Sequence, residues 1–534
     1  SLPMVLAARP LWDLGGYRAT LLLPMLGGIA TAFAARALAR RLGDGEGWAA
    51  FWVIGLASPV AVYSLDLWEH SLGLALMGWA AVVLLDVVER RPVWWRGLVA
   101  GALFGVAAAM RTEAFVYGFA MIGVACLVVA VGRRRSLPGA VGTVGGERSP
   151  YGMDLRVTYP KVDLDRLFAG IAHAQGAWRA AGPETWVGVC IEALARINQA
   201  SFEIANAVMH TTGQAFMMAF QAGGPHAQDR GLEAVAYAWD QMRRVPAKSL
   251  WEKPQGKGDP LRMEKHFRIV PRGVGLVIGC CTFPTWNGYP GLFASLATGN
   301  AVIVKPHPAA ILPLAITVKI VRDVLAEAGF DPNVVTLVAH AAGDDVAQKL
   351  ALRPEVRIID FTGSSANGNW LEEHARQAQV YTEKAGVNQV IVDSTPDLAG
   401  LARNLAFSLS LYTGQMCTAP QNIYVPRGGI ETPEGRKSFD EVANAIAEGV
   451  RKLLGDPVRA VEVLGAVQNR GVLDRLDRAR ALGPVLLDTQ VVPHPQFPDA
   501  NVRTPLILKL DARDGDKYLS EWFGPIAFVI ATDS

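Results

Sequence analysis

Leu411–Pro420 reads L-Y-T-G-Q-M-C-T-A-P, which sets Cys417 in a loop of small residues. A helical run (Leu401–Leu411) precedes the loop and a strand-like run (Asn422–Val425) follows it. A cysteine in such a place is ordinarily an inert, small hydrophobe. Three other stretches change that reading. Glu383 lies thirty-four residues upstream in Y-T-E-K-A-G, T-W-N spans Thr285–Asn287, and E-W-F-G-P spans Glu521–Pro525.

Upstream of the loop, strand and helix alternate. Gly275–Cys280 is an apolar strand, and a helix follows from about Asn287. Ala301–Lys305 is the next strand, followed by a helix over Leu312–Ala328. Val334–Val338 and Arg357–Phe361 read as two more strands. This alternation predicts an α/β fold with a doubly wound parallel sheet. Helical periodicity over Asp163–Gly176, Trp186–Met218 and Asp229–Met242 predicts a helical lead-in. No G-x-G-x-x-G follows the first strand, so the common dinucleotide fingerprint is missing.

The four motifs, in this order, resemble the aldehyde dehydrogenase superfamily, and the resemblance covers roughly Asp154–Ser534. It implies an NAD(P)-binding domain over 151–389 and an α/β catalytic domain over 390–534. It also implies a dinucleotide held without the usual fingerprint. Lys305, in V-K-P, matches the lysine that reaches the adenosine ribose. Phe361, Thr362, Gly363 and Ser364 match the loop near the pyrophosphate, where backbone N–H groups at a helix start favour its charge. Glu521 and Phe523 match the residues that grip the nicotinamide ribose and ring. Phe283, Thr285 and Trp286 join this set of cofactor contacts. The family often has K-P-x-E where this chain has K-P-H-P. Pro308 removes a charge that would repel a 2′-phosphate, which tilts the choice toward NADP over NAD.

The same resemblance assigns the chemistry. Cys417 is the nucleophile, since a thiolate attacks a carbonyl well. The hemithioacetal oxygen needs donors, and the Asn287 amide and the Cys417 N–H are the candidates. Asn287 is equally a candidate helix N-cap. Glu383 is placed as the general base that sends water onto the thioester. Its presence favours a free carboxylate over acyl transfer to coenzyme A. Cys280 and Cys281 read as packing. The stretch T-T-G-Q-A-F (Thr211–Phe216) is similar to the family's E-x-G-K-P element. Finer details, Cys281–Gly291, Glu383–Gln389 and Tyr412–Gln421, look like the aldehyde dehydrogenases of phenylacetic acid degradation, the PaaN-like and PaaZ-like proteins. That implies a small-molecule aldehyde, a ring-opened semialdehyde, with a coenzyme-A-linked form among the candidates. Members of the family are homo-oligomers. Only nine residues, Ile526–Ser534, follow Pro525 here. The catalytic domain is therefore expected to be incomplete, the enzyme weak or inactive, and the oligomer poor.

Composition bounds the rest. A net charge of +2 over 534 residues implies no field for nucleic acid. Five cysteines without a framework spacing suit a reducing compartment. Nine scattered histidines form no metal motif, so no metal is expected. Mean hydropathy is positive, and its source is local.

Residues 1–135 carry that excess. Apolar runs at Tyr17–Ala39, Trp48–Leu65, Ser71–Val88, Gly97–Met110 and Ala114–Gly132 predict about five membrane spans. Arg36, Arg40 and Arg41, then Arg90, Arg91 and Arg96, then Arg133–Arg135 all fall on one face, which makes that face and the enzyme part cytoplasmic. Leu38–Gly45, Ser58–Ser64 and Gly101–Arg111 loosely resemble multi-span glycosyltransferases acting on lipid-linked sugars. The alternative overall reading is thus a membrane glycosyltransferase fragment fused to an inactive dehydrogenase remnant. Residues 136–150, rich in Gly, Ser and Pro, read as a linker.

Overall fold

The computed structural model describes residues 2–41, 47–65, 70–89, 94–110 and 140–533. The chain forms two compact units, Ser1–Ser136 and Leu137–Ser534.

In the first unit the described residues are helical: Leu2–Thr20, Leu22–Arg41, Trp48–Leu56, Pro59–Tyr63, His70–Glu89 and Trp94–Met110. Leu22–Arg41 and His70–Glu89 cross closely at Gly27, where an added Cβ would lie 2.7 Å from the Leu72 nitrogen. The Ser71 hydroxyl donates to the Pro24 carbonyl at 2.9 Å. By length and composition, one described helix, Leu22–Arg40, is apolar and long enough to cross a membrane. His70–Leu85 and Trp95–Met110 are apolar but shorter. The expected span Trp48–Leu65 is broken. Ser58 accepts from the Val60 N–H and Pro59 opens a new helix, leaving pieces of 9 and 5 residues. At about 1.5 Å per residue neither crosses about 30 Å of hydrocarbon. The fifth expected span, with the Arg133–Arg135 cluster, lies outside the described residues. The five-span expectation is thus reduced to one candidate helix, and a membrane attachment is not shown.

The second unit opens where a linker was expected. β1 (Ala140–Gly145) pairs antiparallel with β2 (Thr158–Val162). Glu147, just after β1, is buried and explains the order. Its carboxylate takes the Tyr159 hydroxyl proton as a hydrogen bond and accepts from the N–H of Ile311 at 2.5 Å and of Leu312 at 3.2 Å. Gly/Ser/Pro composition signals a linker only when nothing in the segment is anchored, and here a carboxylate is.

The helical lead-in forms as Leu164–Ala181, Pro183–Gln199, Ser201–Thr212, Phe216–Gly223 and Pro225–Met242. A hairpin of β3 (Lys248–Gln255) and β4 (Gly258–His266) follows, exposed along both strands. Then come β5 (Val274–Ile278), β6 (Ala301–Lys305), β7 (Val335–Leu337), β8 (Val356–Thr362) and β9 (Gln379–Glu383). They form one parallel sheet in the order β7-β6-β5-β8-β9. Every residue of β5 and β6 is buried, as their unbroken apolar runs require of strands covered on both faces. One face packs on Trp178 and Trp186 of the lead-in helices and on Tyr289 and Phe293 of the helix Pro284–Ala297. The other packs on Leu167, Phe168 and Leu371.

A second sheet contains β10 (Gln389–Ile391), β11 (Asn422–Pro426), β12 (Val485–Leu487), β15 (Leu506–Asp511) and β16 (Ile526–Thr532), ordered β10-β11-β16-β15-β12. Between β12 and β15 the short strands β13 (Val491–Val492) and β14 (Val502–Arg503) pair with each other. In the second sheet only β12 runs antiparallel. The helices Leu398–Ser410 and Phe439–Leu453 bury Leu405, Leu409, Val442 and Ile446 against one of its faces.

Candidate active site

The chain runs outward from β5 through β6 to β7, then returns to add β8 and β9 on the other side of β5. The order therefore reverses between β5 and β8. At such a point the loops leaving the strand ends diverge and open a crevice. A cleft of about 600 Å³ lies there, lined by Gly279, Lys305, His307, Phe361, Gly363 and Ser364 among others. Thr362 lines it too. Ser364 caps the helix Ser365–His374, its hydroxyl accepting from the Asn367 N–H at 3.4 Å. That helix start faces the cleft and offers N–H groups to an anion.

Lys305 ends β6 and is only 6% exposed. Burial lowers its pKa from 10.5 to about 8. Burial, and then the neighbouring Lys305 charge, push His307 down to about 4. His340 is lowered for the same two reasons. One lysine among neutral imidazoles is thus the cation of this wall. Lys319 points elsewhere and pairs with Asp323 at 3.0 Å.

The Cys417 loop is held by strain and by buried side chains. Tyr412 and Thr413 both adopt left-handed backbone angles, with φ of 51° and 54°. Gly414 follows at φ 62°, and an added Cβ there would sit 2.6 Å from the Gly524 carbonyl oxygen. Such conformers persist only where the surroundings over-determine them. Here the Tyr412 hydroxyl donates to the Thr212 carbonyl at 2.6 Å, and the Thr413 hydroxyl to the Leu464 carbonyl at 2.7 Å. Gln415 donates to the Ala466 carbonyl at 3.0 Å and accepts from the Gln468 N–H at 2.8 Å. Downstream, Gln421 donates to the carbonyls of Tyr518 and Ser520 and accepts from the Trp522 N–H, tying this loop to the Glu521 loop.

Cys417 is solvent-accessible at the tip of the loop. Asn388 donates from Nδ2 to its carbonyl. Glu383, the last residue of β9, faces the thiol and hydrogen-bonds it. Burial first, then that carboxylate, push the thiol up to about 11. The Asn287 Nδ2 donates to Glu383 Oε2 at 2.7 Å. The helix Pro284–Ala297 is capped by Phe283, so Asn287 sits inside its first turns and is not the N-cap. The Glu383 carbonyl accepts from the Gly363 N–H at 3.0 Å, which joins the end of β9 to the cleft loop.

Asn287, Glu383 and Cys417 are therefore brought together. Glu521 and Phe523 share a small cavity with Cys417. The Glu521 carboxyl is raised by burial, against a hydrogen bond from the Gly386 N–H. Lys305 and Phe361–Ser364 line the cleft. Phe283, Thr285 and Trp286 do not. Phe283 packs edge-on against Tyr412 at 5.7 Å. The Thr285 hydroxyl donates to the Gly223 carbonyl at 2.9 Å. Trp286 lies under the Arg230 guanidinium, 5.1 Å away. Cys280 and Cys281 line the cleft, and burial raises both thiols, Cys281 to about 12.

Supporting residues not singled out from sequence are Gln214, Asn388, Tyr412, Gln415 and Arg475. Gln214 donates to the Thr282 carbonyl at 2.7 Å, and Arg475 to the Phe523 carbonyl at 2.7 Å. All but Arg475 lie inside the quoted motifs, so a search of those motifs for buried polar residues would have found them.

The profile of the Aldehyde dehydrogenase family matches residues 158–534. Among solved structures, the chain is similar to the NAD-dependent aldehyde dehydrogenase from Burkholderia multivorans, at 70% identity and a TM-score of 0.74, over 75% of this chain and 72% of that one. It shares the fold of the Thermus thermophilus 1-pyrroline-5-carboxylate dehydrogenase, at 21% identity, a TM-score of 0.59 and 74% coverage of each. The curated 1-pyrroline-5-carboxylate dehydrogenase of Bacillus cytotoxicus is 25% identical over 372 residues, covering 67% of this chain and 66% of that protein. That of Geobacillus thermodenitrificans is 28% identical over 220 residues, 40% of each. The chain thus spans 40% to 66% of the length of these two curated relatives.

Proposed function

This chain belongs to the aldehyde dehydrogenase family, and from that premise we propose that it oxidises an aldehyde to a carboxylate through a thioester on Cys417. The observation that carries this is the contact of Asn287, Glu383 and Cys417 beside a cleft at the sheet's switch point. Residues 151–389 act as the dinucleotide-binding domain and residues 390–534 as the catalytic domain.

The resting thiol is held protonated by burial and by Glu383. The thiol sits at an exposed loop tip and gives its proton to solvent as the sulfur attacks, which leaves Glu383 ionised for the later step. The oxyanion that forms is met by the Asn287 amide and the Cys417 N–H. One N–H of that amide already holds Glu383, which leaves the other for the oxyanion. The cleft residues fit a dinucleotide: Lys305 and Phe361–Ser364 hold its adenosine and pyrophosphate side, and Glu521 and Phe523 its nicotinamide side. When bound, NAD or NADP supplies the two-electron acceptor that makes a thioester reachable. Glu383 then takes a proton from water, which attacks the thioester and frees Cys417.

Family members use NAD or NADP. Pro308 in place of a carboxylate favours a 2′-phosphate, whereas the relative at 70% identity is named NAD-dependent. We take NAD as the acceptor on the strength of that relative. For the aldehyde, the motifs around Asn287, Glu383 and Cys417 support a ring-opened semialdehyde of aromatic degradation. A second reading is an amino-acid-derived semialdehyde, favoured by the curated relatives named 1-pyrroline-5-carboxylate dehydrogenase. The enzyme part is assigned to the cytoplasm, and its four cysteines are free.

The test is reduced-cofactor absorbance with the purified full chain, both aldehyde classes, and NAD or NADP. Cys417→Ala should abolish the signal, and the preferred aldehyde should show the higher kcat/KM. Unchanged oxidation by the alanine variant would overturn the assignment.

A further inference from the structure

The carboxylate cluster continues one layer beyond Glu383. In the parallel pair β8–β9, Asp360 is opposite Tyr381 and Thr362 is opposite Glu383. Residues two apart on a strand share a face, so Asp360 and Glu383 project from the same face of the sheet. The helix Pro284–Ala297 covers that face. Asn287 and Gly291 are four residues apart and lie on one side of this helix. Asn287 meets Glu383 at 2.7 Å. Gly291 meets Asp360: an added Cβ would lie 2.6 Å from the Asp360 Cγ and 2.8 Å from Oδ2. Glycine is required there because the carboxyl occupies the space of a side chain. The two carboxyls therefore meet one side of this helix at positions four residues, about 6 Å of axis, apart.

Few charges face Asp360. Glu383 and Tyr381 do so from β9, and Arg230 from the helix Pro225–Met242. The covering helix adds only Gly291, and β5 beside it is apolar. Burial first, and then the Glu383 charge, lift the Asp360 carboxyl to about 6, with Arg230 pulling the other way. A group so placed accepts and releases a proton near neutral pH. No step of the chemistry above uses it.

We propose that Asp360 is a positioning residue for deacylation, receiving the proton that Glu383 takes from the attacking water. The inference rests on Glu383 as the base of the proposed reaction. Each turnover balances. The water O–H breaks as its oxygen bonds the thioester carbon, the C–S bond breaks, and Cys417 leaves as thiolate and regains its proton from solvent. The proton moves from Glu383 to Asp360 and on to solvent, and Glu383 is restored as a base.

The experiment compares wild type, Asp360→Asn, Gly291→Ala and Glu383→Gln in the full chain. Burst and steady-state formation of reduced cofactor are followed across pH. Asp360→Asn should keep the burst, lose about 10²-fold in steady-state turnover, and lose the inflection near pH 6. Gly291→Ala, which displaces the carboxyl without removing it, should do the same. Wild-type turnover and inflection in Asp360→Asn, with Glu383→Gln stalled, would overturn the relay and leave the base assignment standing. Normal turnover in Glu383→Gln would remove the base assignment and the relay together. A readout without cofactor or turnover is the pH profile of Cys417 alkylation by iodoacetamide. The wild-type profile should step near pH 6 and the Asp360→Asn profile should not; a step that survives in Asp360→Asn counts against the relay. The fully buried Cys190 staying unlabelled shows that each variant is folded.

Discussion

Lys305→Met should stabilise the unliganded chain at neutral pH while removing its grip on the dinucleotide. The lysine is 6% exposed, and burial alone lowers its pKa from 10.5 to about 8. At about 1.36 kcal/mol per pH unit, holding the charge costs about 3 kcal/mol below pH 8. Between about pH 8 and 10.5 the unfolded chain binds the proton that the folded chain has lost, so stability rises with pH through that window. Methionine keeps the apolar stem and drops the charge. The variant should therefore exceed wild type by up to about 3 kcal/mol at pH 7, and the gap should close by about pH 10.5. Hydrogen exchange of the β5 and β6 amides against urea reports the opening of this unit. Other alkaline titrations cancel in the difference between the two proteins. His307, relieved of a neighbouring cation, should titrate above its present value of about 4. The same variant should lose the thermal shift that NAD gives wild type. A variant that is equal or weaker at pH 7, or a gap that persists in alkali, would refute the electrostatic account of Lys305.

Glu383→Gln should leave a burst of reduced cofactor followed by little turnover, and equal loss of both phases would count against a deacylating base. Gly414→Ala forces a Cβ to within 2.6 Å of the Gly524 carbonyl at a left-handed φ. It should cost about 1–3 kcal/mol in unfolding free energy and loosen the Cys417 loop, seen as faster exchange over Tyr412–Pro420. Wild-type protection there would show that the left-handed turn is not held by this contact.

The α/β class, the parallel sheet and the order of its strands' residues were legible because parallel strands buried on both faces read as unbroken apolar runs. β6 was delimited at Ala301–Lys305, with Lys305 at its end. Glu383, Asn287 and Cys417 could be selected because each stands in a short motif. What joins them was not legible. Tyr412 acts by bonding a carbonyl 200 residues away, and Gln214 one 68 residues away. Asp360 shares a face with Glu383 only through the β8–β9 register and abuts Gly291 only through helix packing. The Thr285–Trp286 motif did not disclose that its side chains turn away from the cleft, because the direction of a helical side chain depends on where the helix begins. The same limit explains the first unit and the junction. Apolar runs show what avoids water, but Ser58–Pro59 decides where a helix breaks. A segment rich in glycine becomes a strand once the buried carboxylate beside it, Glu147, finds its three donors. The sequence by itself determined which residues are apolar, nucleophilic or basic. The tertiary structure decided which of them meet, because hydrogen bonds and burial act over a few ångströms of space and not along the chain.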